Sequence, residues 1–182
     1  KYPTAQFEGR IITIDTAEEA ERAASALLKE SILGLDTETR PSFRKGVHHD
    51  VSLLQLSTAD TCFLFRLFRT GLTDTLIELL ESKEIKKIGV SLHDDFNMLK
   101  ARRSFTPGSF VELQKYVSAF GIEEMSLQKI YAIIFAQRIS KSQRLTNWEA
   151  DVLTDKQKIY AATDAWTCFN IYNHLENLKE SK

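Results

Sequence analysis

The strongest constraint on the fold is an apolar run that ends in two carboxylates, Ile32-Leu33-Gly34-Leu35-Asp36-Thr37-Glu38. A continuous apolar run of this length is typical of a strand that is buried on both faces inside an α/β sheet. Because side chains alternate along a strand, Asp36 and Glu38 project from one face and Thr37 from the other. Open α/β sheets bind ligands at the carboxyl ends of their strands, where this pair is expected. Alone, Asp-x-Glu is common and fits an ordinary polar strand end.

A second acidic site follows the short run at 85–91, where His93-Asp94-Asp95 opens an amphipathic stretch. This pattern predicts a strand followed by the start of a helix. An Asp in such a place can simply cap the helix by accepting hydrogen bonds from its free N–H groups. Asp95 shares a helix face with Leu99, so it is expected to lean toward the packed side. We therefore select Asp95 over Asp94 as the candidate ligand.

The third acidic site is Tyr160-Ala161-Ala162-Thr163-Asp164, inside a strongly helical segment at 155–178. Four residues make about one helical turn, so Tyr160 and Asp164 are expected to stack on one face. The small Ala161 and Ala162 beside them allow close approach to a neighbouring element. The structural alternative is a Tyr above an Asp on a solvated helix.

The order of these sites is more specific than any one of them: acids at a strand end, at a helix start and late in a helix, with a Tyr one turn before the last. In this order the chain resembles the DnaQ-like 3′–5′ exonucleases, in the tyrosine-bearing DEDDy subgroup. Flanking segments at 40–43, 52–57 and 145–148 are similar to the Werner-type and ribonuclease D-like stand-alone members. One position departs, since Ser91 stands where some relatives have Asn. The resemblance covers nearly the whole chain and implies one exonuclease domain over residues 1–182.

What the resemblance implies is a metal-dependent 3′–5′ exonuclease that releases nucleoside 5′-monophosphates from DNA or RNA 3′ ends by a two-metal mechanism. Tyr160 would orient the attacking water. Hard cations such as Mg²⁺ or Mn²⁺ prefer oxygen ligands, and two of them would offset the charge of four carboxylates. Without metal these acids repel one another, so at least one is predicted to have a raised pKa. The implied ligands of the two divalent cations are Asp36, Glu38, Asp95 and Asp164.

Two other functions stay open at this point. One is a metal-dependent endonuclease on the same fold, and the Tyr one turn before the last acid argues against it. The other is a nucleic-acid-binding scaffold without catalysis, and the intact acids at every motif position argue against that.

The net charge of −1 gives the chain no overall positive field, so an anionic substrate must be bound by local clusters of basic residues. One basic cluster follows the first acids, at 40–49, and includes an aromatic ring; another precedes the third motif, at 138–144. Cations with an aromatic among them suit a frayed single strand, although such clusters are more often solvated loops. The predicted substrate contacts are Thr37, Thr39, Arg40, Phe43, Arg44, Lys141 and Arg144.

Length and composition predict one α/β domain, because 182 residues with 43% apolar and 27% charged residues can bury one sizeable core. Strands are predicted at 7–14, 32–38, 51–58, 61–66, 86–91 and 109–113, with helices at 16–29, at 73–82, from 93 onward, and from 113 to the end. Thr16 and Glu19 predict a capping box at the start of the first helix, and the short turn at 58–61 predicts a hairpin between two of the strands. This order suggests a mixed central sheet flanked by helices. It is compatible with the ribonuclease H-like fold that the resemblance implies.

The chain is expected to act inside the cell, in the cytoplasm. No apolar stretch is long enough to cross a membrane, and no secretory signal pattern opens the chain. Cys62 and Cys168 are too few for a disulfide framework and are expected to be buried, reduced thiols. Neither a membrane nor an obligate protein partner is indicated.

Overall fold

A six-stranded mixed sheet forms the centre of the structure, a computed structural model that describes residues 1–181. Its strands are β1 (Arg10–Ile14), β2 (Ile32–Glu38), β3 (Leu53–Ser57), β4 (Thr61–Arg66), β5 (Lys86–Gly89) and β6 (Phe110–Glu112). They lie in the order β1-β4-β3-β2-β5-β6, with β3 antiparallel to both of its neighbours and the other pairs parallel. The acid-bearing strand β2 therefore lies in the interior of the sheet, as its apolar run predicted.

The helices are α1 (Ala17–Leu27), α2 (Leu67–Thr70), α3 (Asp74–Glu81), α4 (Leu92–Leu99), α5 (Leu113–Tyr116), α6 (Leu127–Phe135) and α7 (Asp155–Glu180), with a 3₁₀ turn at Val117–Phe120. Helix α1 begins with the expected capping box, in which the Thr16 hydroxyl accepts from the Glu19 N–H. A second capping box, between Thr154 and Gln157, begins α7. Within residues 1–181, no helix is both long enough and apolar enough to cross a membrane.

Helices cover both faces of the sheet, which confirms the predicted α/β architecture. On one face, β2 packs through Leu33 and Leu35 against α1, α3 and α4 in a single apolar core. On the other face, α7 and α6 cover the sheet, and the buried Ala161 and Ala165 of α7 contribute to the core there. Cys62 and Cys168 are both free and buried on this second face.

Helix α7 lies directly on β2 because Gly34 has no side chain. A Cβ atom at Gly34 would lie 2.0 Å from the Ala165 carbonyl oxygen, a distance that no real Cβ contact tolerates. Ala161 and Ala162, the small residues that predicted a close approach, are fully buried, and so is Ala165 on the same helix. Since Gly34, Asp36 and Glu38 share one face of the strand, the two acids project toward α7.

The prediction of helices from 113 to the end is wrong for residues 137–153, which form a loop. Helix α6 ends where Ala136 adopts a left-handed conformation with φ of 53°. Beyond it, Trp148 is completely buried and its indole N–H donates to the Arg144 carbonyl oxygen at 3.3 Å. Tertiary contacts to this indole decide the path of the chain here, and local periodicity does not reveal them. The first strand also begins later than predicted, at Arg10.

Arg66 on β4 anchors this loop to the sheet, and its removal should destabilise the fold. Its side chain is 2% exposed and donates to the backbone carbonyls of Ala150 and Asp151, the latter at 3.0 Å. Substituting Arg66→Met leaves these carbonyls without their buried donor, so we expect the free energy of unfolding to fall by about 3 kcal/mol. Urea denaturation followed by circular dichroism measures this change.

The matched control is Arg69→Met, because Arg69 also donates to the Asp151 carbonyl, at 2.8 Å, but is partly exposed. Its loss should cost less than about 1 kcal/mol, since solvent screens and replaces such contacts. Equal losses in the two variants would contradict the anchoring role of Arg66.

Candidate active site

Three carboxylates meet where the end of β2 faces α7. Asp36, Glu38 and Asp164 each offer one oxygen, and these oxygens all lie within 4.8 Å of one another. Asp164 is brought there by the close approach of α7 over Gly34, one turn before Cys168 on the same buried helix face. Residues far apart in the sequence thus form one acidic cluster, as the motif order predicted.

Asp95 lies beside this cluster on α4, on the opposite face of the sheet, and is not one of the three carboxylates whose oxygens lie within 4.8 Å of one another. The Thr37 hydroxyl, which points away from Asp36 and Glu38, donates to the Asp95 carboxylate at 2.9 Å. Asp94 is exposed, in agreement with the choice of Asp95 from its face of the helix. Asp95 is not the N-cap of α4, because that position belongs to Ser91. The simple capping alternative therefore does not account for it.

Tyr160 lies one turn before Asp164 on α7 and is 9% exposed. Its ring packs against that of the buried Trp148, with the ring centroids 6.0 Å apart. Burial, followed by the negative charges of Asp164, Glu38 and Asp36, raises the pKa of the Tyr160 phenol well above its usual value. The hydroxyl therefore keeps its proton at neutral pH and can donate a hydrogen bond into the site.

Burial raises the pKa of every carboxyl in the cluster. The pKa of Asp36 rises to about 6, even with the Thr37 N–H donating to it at 2.8 Å. Burial and then the charge of Asp36 raise the pKa of Asp95 to about 8. The same two causes raise the pKa values of Glu38 and Asp164 well above their usual range. These directions agree with the prediction that at least one of the acids has a raised pKa.

The donor set fits a divalent cation. Asp164 Oδ1 and Asp95 Oδ2 are buried without a hydrogen-bond partner within residues 1–181. Buried polar atoms are normally paired, and an unpaired carboxylate oxygen beside other carboxylates is an available ligand. The cluster contains only oxygen donors, which suit hard cations such as Mg²⁺ and Mn²⁺.

A cleft of about 450 Å³ opens above the cluster, with Asp36, Asp164 and Tyr160 among its lining residues. The first turn of α6 forms part of its wall through Ser126, Leu127 and Gln128. Lys141 and Arg144, both predicted as substrate contacts, line the same cleft from the loop before α7. The cleft therefore presents two carboxylates and two cationic side chains within one space.

The other predicted substrate contacts lie on or beside the loop that follows β2. Arg40 forms a long ion pair of 3.9 Å with Glu149, and Thr39 is half-buried. Phe43 is 82% exposed and Arg44 is also exposed. In the described part of the chain, neither Phe43 nor Arg44 is among the residues that line the cleft. The Thr37 hydroxyl is engaged by Asp95.

The sequence reasoning missed Gln55, which holds Glu38 in place. Gln55 is completely buried on β3, where it pairs in register with Asp36. Its amide nitrogen donates to Glu38 Oε2 at 3.3 Å and to the Ala161 carbonyl oxygen at 3.2 Å. It thereby connects an acid of β2 to the backbone of α7. A single amide inside an otherwise apolar strand was the available signal, since a buried polar group requires partners.

Comparison with known proteins places the chain in a family. The model of the family described as 3′–5′ exonuclease matches residues 11–180. A 3′–5′ exonuclease of Arabidopsis thaliana is 28% identical over 99% of this chain and 68% of its own length. The bifunctional 3′–5′ exonuclease/ATP-dependent helicase WRN of Mus musculus is 31% identical over 98% of this chain and 14% of its own length. The chain thus spans only a small part of that mouse protein.

The fold has close counterparts among solved structures. The Nibbler EXO domain of Aedes aegypti superposes with a TM-score of 0.85 at 20% identity, over 100% of this chain and 94% of that one. The predicted ribonuclease H-like fold is therefore confirmed. Since the family match runs from β1 to the end of α7, the chain belongs to the DnaQ-like 3′–5′ exonuclease family of hydrolases.

Proposed function

We propose that this chain is a metal-dependent exonuclease that removes nucleotides one at a time from the 3′ end of DNA or RNA. It releases nucleoside 5′-monophosphates and uses two divalent cations, Mg²⁺ or Mn²⁺. The observation that carries the proposal is the convergence of Asp36, Glu38 and Asp164, with oxygens within 4.8 Å. Two of these acids, Asp36 and Asp164, line a cleft together with two cationic side chains.

The four acids would hold the cations, with Asp36, Glu38 and Asp164 forming the central cluster and Asp95 supporting it from the side of α4. When bound, divalent cations offset the charge of the phosphodiester and make a ligating water a better nucleophile. Lys141 and Arg144 bind the anionic backbone across the cleft and hold the scissile phosphate against the acids. Gln55 keeps the carboxylate of Glu38 in position through its hydrogen bond.

Tyr160 is a hydrogen-bond donor in this scheme and not a general base. A phenol whose pKa lies above its usual value of about 10 cannot accept a proton at neutral pH. Its protonated hydroxyl, fixed by packing against Trp148, orients the attacking water or the phosphate oxygen toward Asp164.

Digestion of end-labelled oligonucleotides tests the function directly. With Mg²⁺ or Mn²⁺, we expect a ladder that shortens from the 3′ end and yields nucleoside 5′-monophosphates. A chelator should stop the reaction, and Asp36→Ala should abolish it by removing a carboxylate from the centre of the cluster. Internal cuts would favour the endonuclease alternative, and binding without any hydrolysis would favour the scaffold. Digestion rates on matched DNA and RNA substrates show which of the two sugars the enzyme prefers.

Tyr160→Phe tests the donor role. Without the hydroxyl the cluster keeps all of its carboxylates, so we expect kcat to fall about 10- to 100-fold while Mn²⁺ affinity changes less than about twofold. Tyr172→Phe is the matched control on α7, because the Tyr172 hydroxyl contacts Lys86 at 3.3 Å and does not line the cleft. Its kcat should stay within about twofold. Single-turnover kinetics and isothermal titration calorimetry measure the two effects, and equal rates in all three proteins would contradict the role.

The pH dependence of metal-free stability tests the acidic cluster. The folded pKa of Asp95, about 8, lies above its usual 3.8, so the native state binds more protons than the unfolded state between these values. The stability from this group is present at low pH and is lost as the pH rises toward 8. We expect Asp95→Asn to remove that loss and to stabilise the metal-free protein by about 2 kcal/mol at pH 8, with little effect at pH 4.

Thermal unfolding in a chelator from pH 4 to 8 measures this difference. Asp94→Asn, on the exposed side of the same helical turn, is the matched control, and its profile should follow that of the unmodified protein. Added Mn²⁺ should stabilise the unmodified protein more at pH 8 than at pH 5, because protons compete for the same oxygens. Parallel profiles for all three proteins would contradict a strained acidic cluster.

A further inference from the structure

We propose that an auxiliary nucleotide site adjoins the catalytic cleft and binds an upstream nucleotide of the substrate strand through Tyr2, Lys129 and Arg138. This inference rests on the proposed function, because it assumes that a nucleic acid 3′ end occupies the cleft. It adds a binding surface that lies outside the acidic cluster and its cleft.

A second cavity, of about 480 Å³, lies next to the cleft, and Gln128 lines both of them. Gln128 belongs to the first turn of α6, so this turn forms the boundary between the two spaces. A cavity of this volume lies within the roughly 300–1,000 Å³ typical of small-molecule sites. In the proposed arrangement, the substrate strand leaves the cleft over this turn and enters the second cavity.

The side chains around this second cavity suit a nucleotide. Tyr2 is 53% exposed and lines this cavity, so its ring is available for base stacking. Lys129 and Arg138 line the same cavity and supply cations for phosphate. The one ion pair of Lys129 in the described residues, with Glu124, is 3.9 Å long and exposed, so it competes weakly with a phosphate. Proteins that bind single-stranded nucleic acid commonly combine an aromatic side chain, on which a base stacks, with cationic side chains that contact phosphates.

The backbone holds this arrangement in place before a ligand arrives. The Arg138 N–H donates to the Pro3 carbonyl oxygen at 2.9 Å, and the Ala5 N–H donates to the Arg138 carbonyl oxygen at 2.7 Å. The Arg138 guanidinium also donates to the Thr4 hydroxyl at 2.8 Å. These bonds fix the segment that carries Tyr2 against the chain after α6. A site that is already ordered loses less conformational entropy on binding.

The direction of the strand defines which substrates use the site. When the cleft holds the 3′ terminal nucleotide, everything beyond the cleft lies on the 5′ side of the scissile bond. A dinucleotide occupies the cleft without extending far past it, whereas a longer strand can place a base on Tyr2 and a phosphate near Lys129. The contribution of the site should therefore depend on substrate length.

Tyr2→Ala and Lys129→Gln test the site, since both side chains are exposed and Gln suits the third position of the helix that Ser126 caps. For a single-stranded 12-mer we expect KM to rise about tenfold in each variant with kcat unchanged, because one stacked base or one phosphate contact is lost. For a dinucleotide, KM and kcat should both stay within about twofold.

Equilibrium binding measurements distinguish the stacking contact of Tyr2 from the phosphate contact of Lys129. Fluorescence anisotropy of the labelled 12-mer, in a chelator and an Asp36→Ala background, should show a slope of log affinity against log salt that is smaller by about 0.7 for Lys129→Gln. Tyr2→Phe keeps the aromatic face and should bind as tightly as the parent. Lys29→Gln controls for the loss of one positive charge, because Lys29 is exposed and follows α1, a helix that packs on the opposite face of the sheet.

If the 12-mer and the dinucleotide respond equally to Tyr2→Ala and Lys129→Gln, or if neither responds, the auxiliary site is overturned. Continued hydrolysis from the 3′ end in that case leaves the proposed function standing. If the unmodified protein neither binds nor hydrolyses any oligonucleotide, the proposed function fails, and the auxiliary site fails with it.

Discussion

The close contact between α7 and β2 is the constraint on which the rest of the site depends. A glycine at position 34 lets the Ala165 carbonyl approach to where a Cβ atom would stand. Asp164 precedes Ala165 on the helix, and Asp36 follows Gly34 two positions along the same face of the strand. Any side chain at position 34 would move the helix away and take Asp164 out of reach of Asp36 and Glu38. The backbone contact therefore sets the distance between the carboxylates.

That contact has an electrostatic cost, because it buries like charges together. The pKa values of all four carboxyls are raised, and two of their oxygens have no hydrogen-bond partner among the described residues. Functional sites often retain such unfavourable groups, and the surrounding core offsets their cost. Here the apolar cores on both faces of the sheet and the buried Gln55 hold the acids in place. A divalent cation, which the proposed function requires, would offset the repulsion among these carboxylates.

The loop at 137–153 holds the two cationic side chains of the cleft in place. Its irregular backbone is anchored by Arg66, by the buried Trp148 and by Gln157, whose amide donates to the Thr146 hydroxyl at 2.9 Å. Lys141 and Arg144 therefore extend from a supported segment instead of a free loop. The start of the same segment pairs with the first residues of the chain at Arg138, which joins the cleft wall to the proposed auxiliary site.

The sequence alone determined the elements whose signals are local. The bounds of β2 and β4, the capping box of α1, the hairpin between β3 and β4 and the helical spacing of Tyr160 and Asp164 all follow from periodicity and short-range hydrogen bonding. The motif order also predicted four acids, of which the structure brings Asp36, Glu38 and Asp164 together, and the choice of Asp95 over Asp94 followed from one helical face. Only the tertiary structure decided the loop at 137–153, the burial of Arg66 and Trp148, the contact of Gln55 with Glu38 and the separation of Phe43 and Arg44 from the cleft. The physical reason is that helix and strand periods are set by neighbours within a few residues. Hydrogen bonds and packing between distant segments depend instead on how the layers meet, and no local pattern records that.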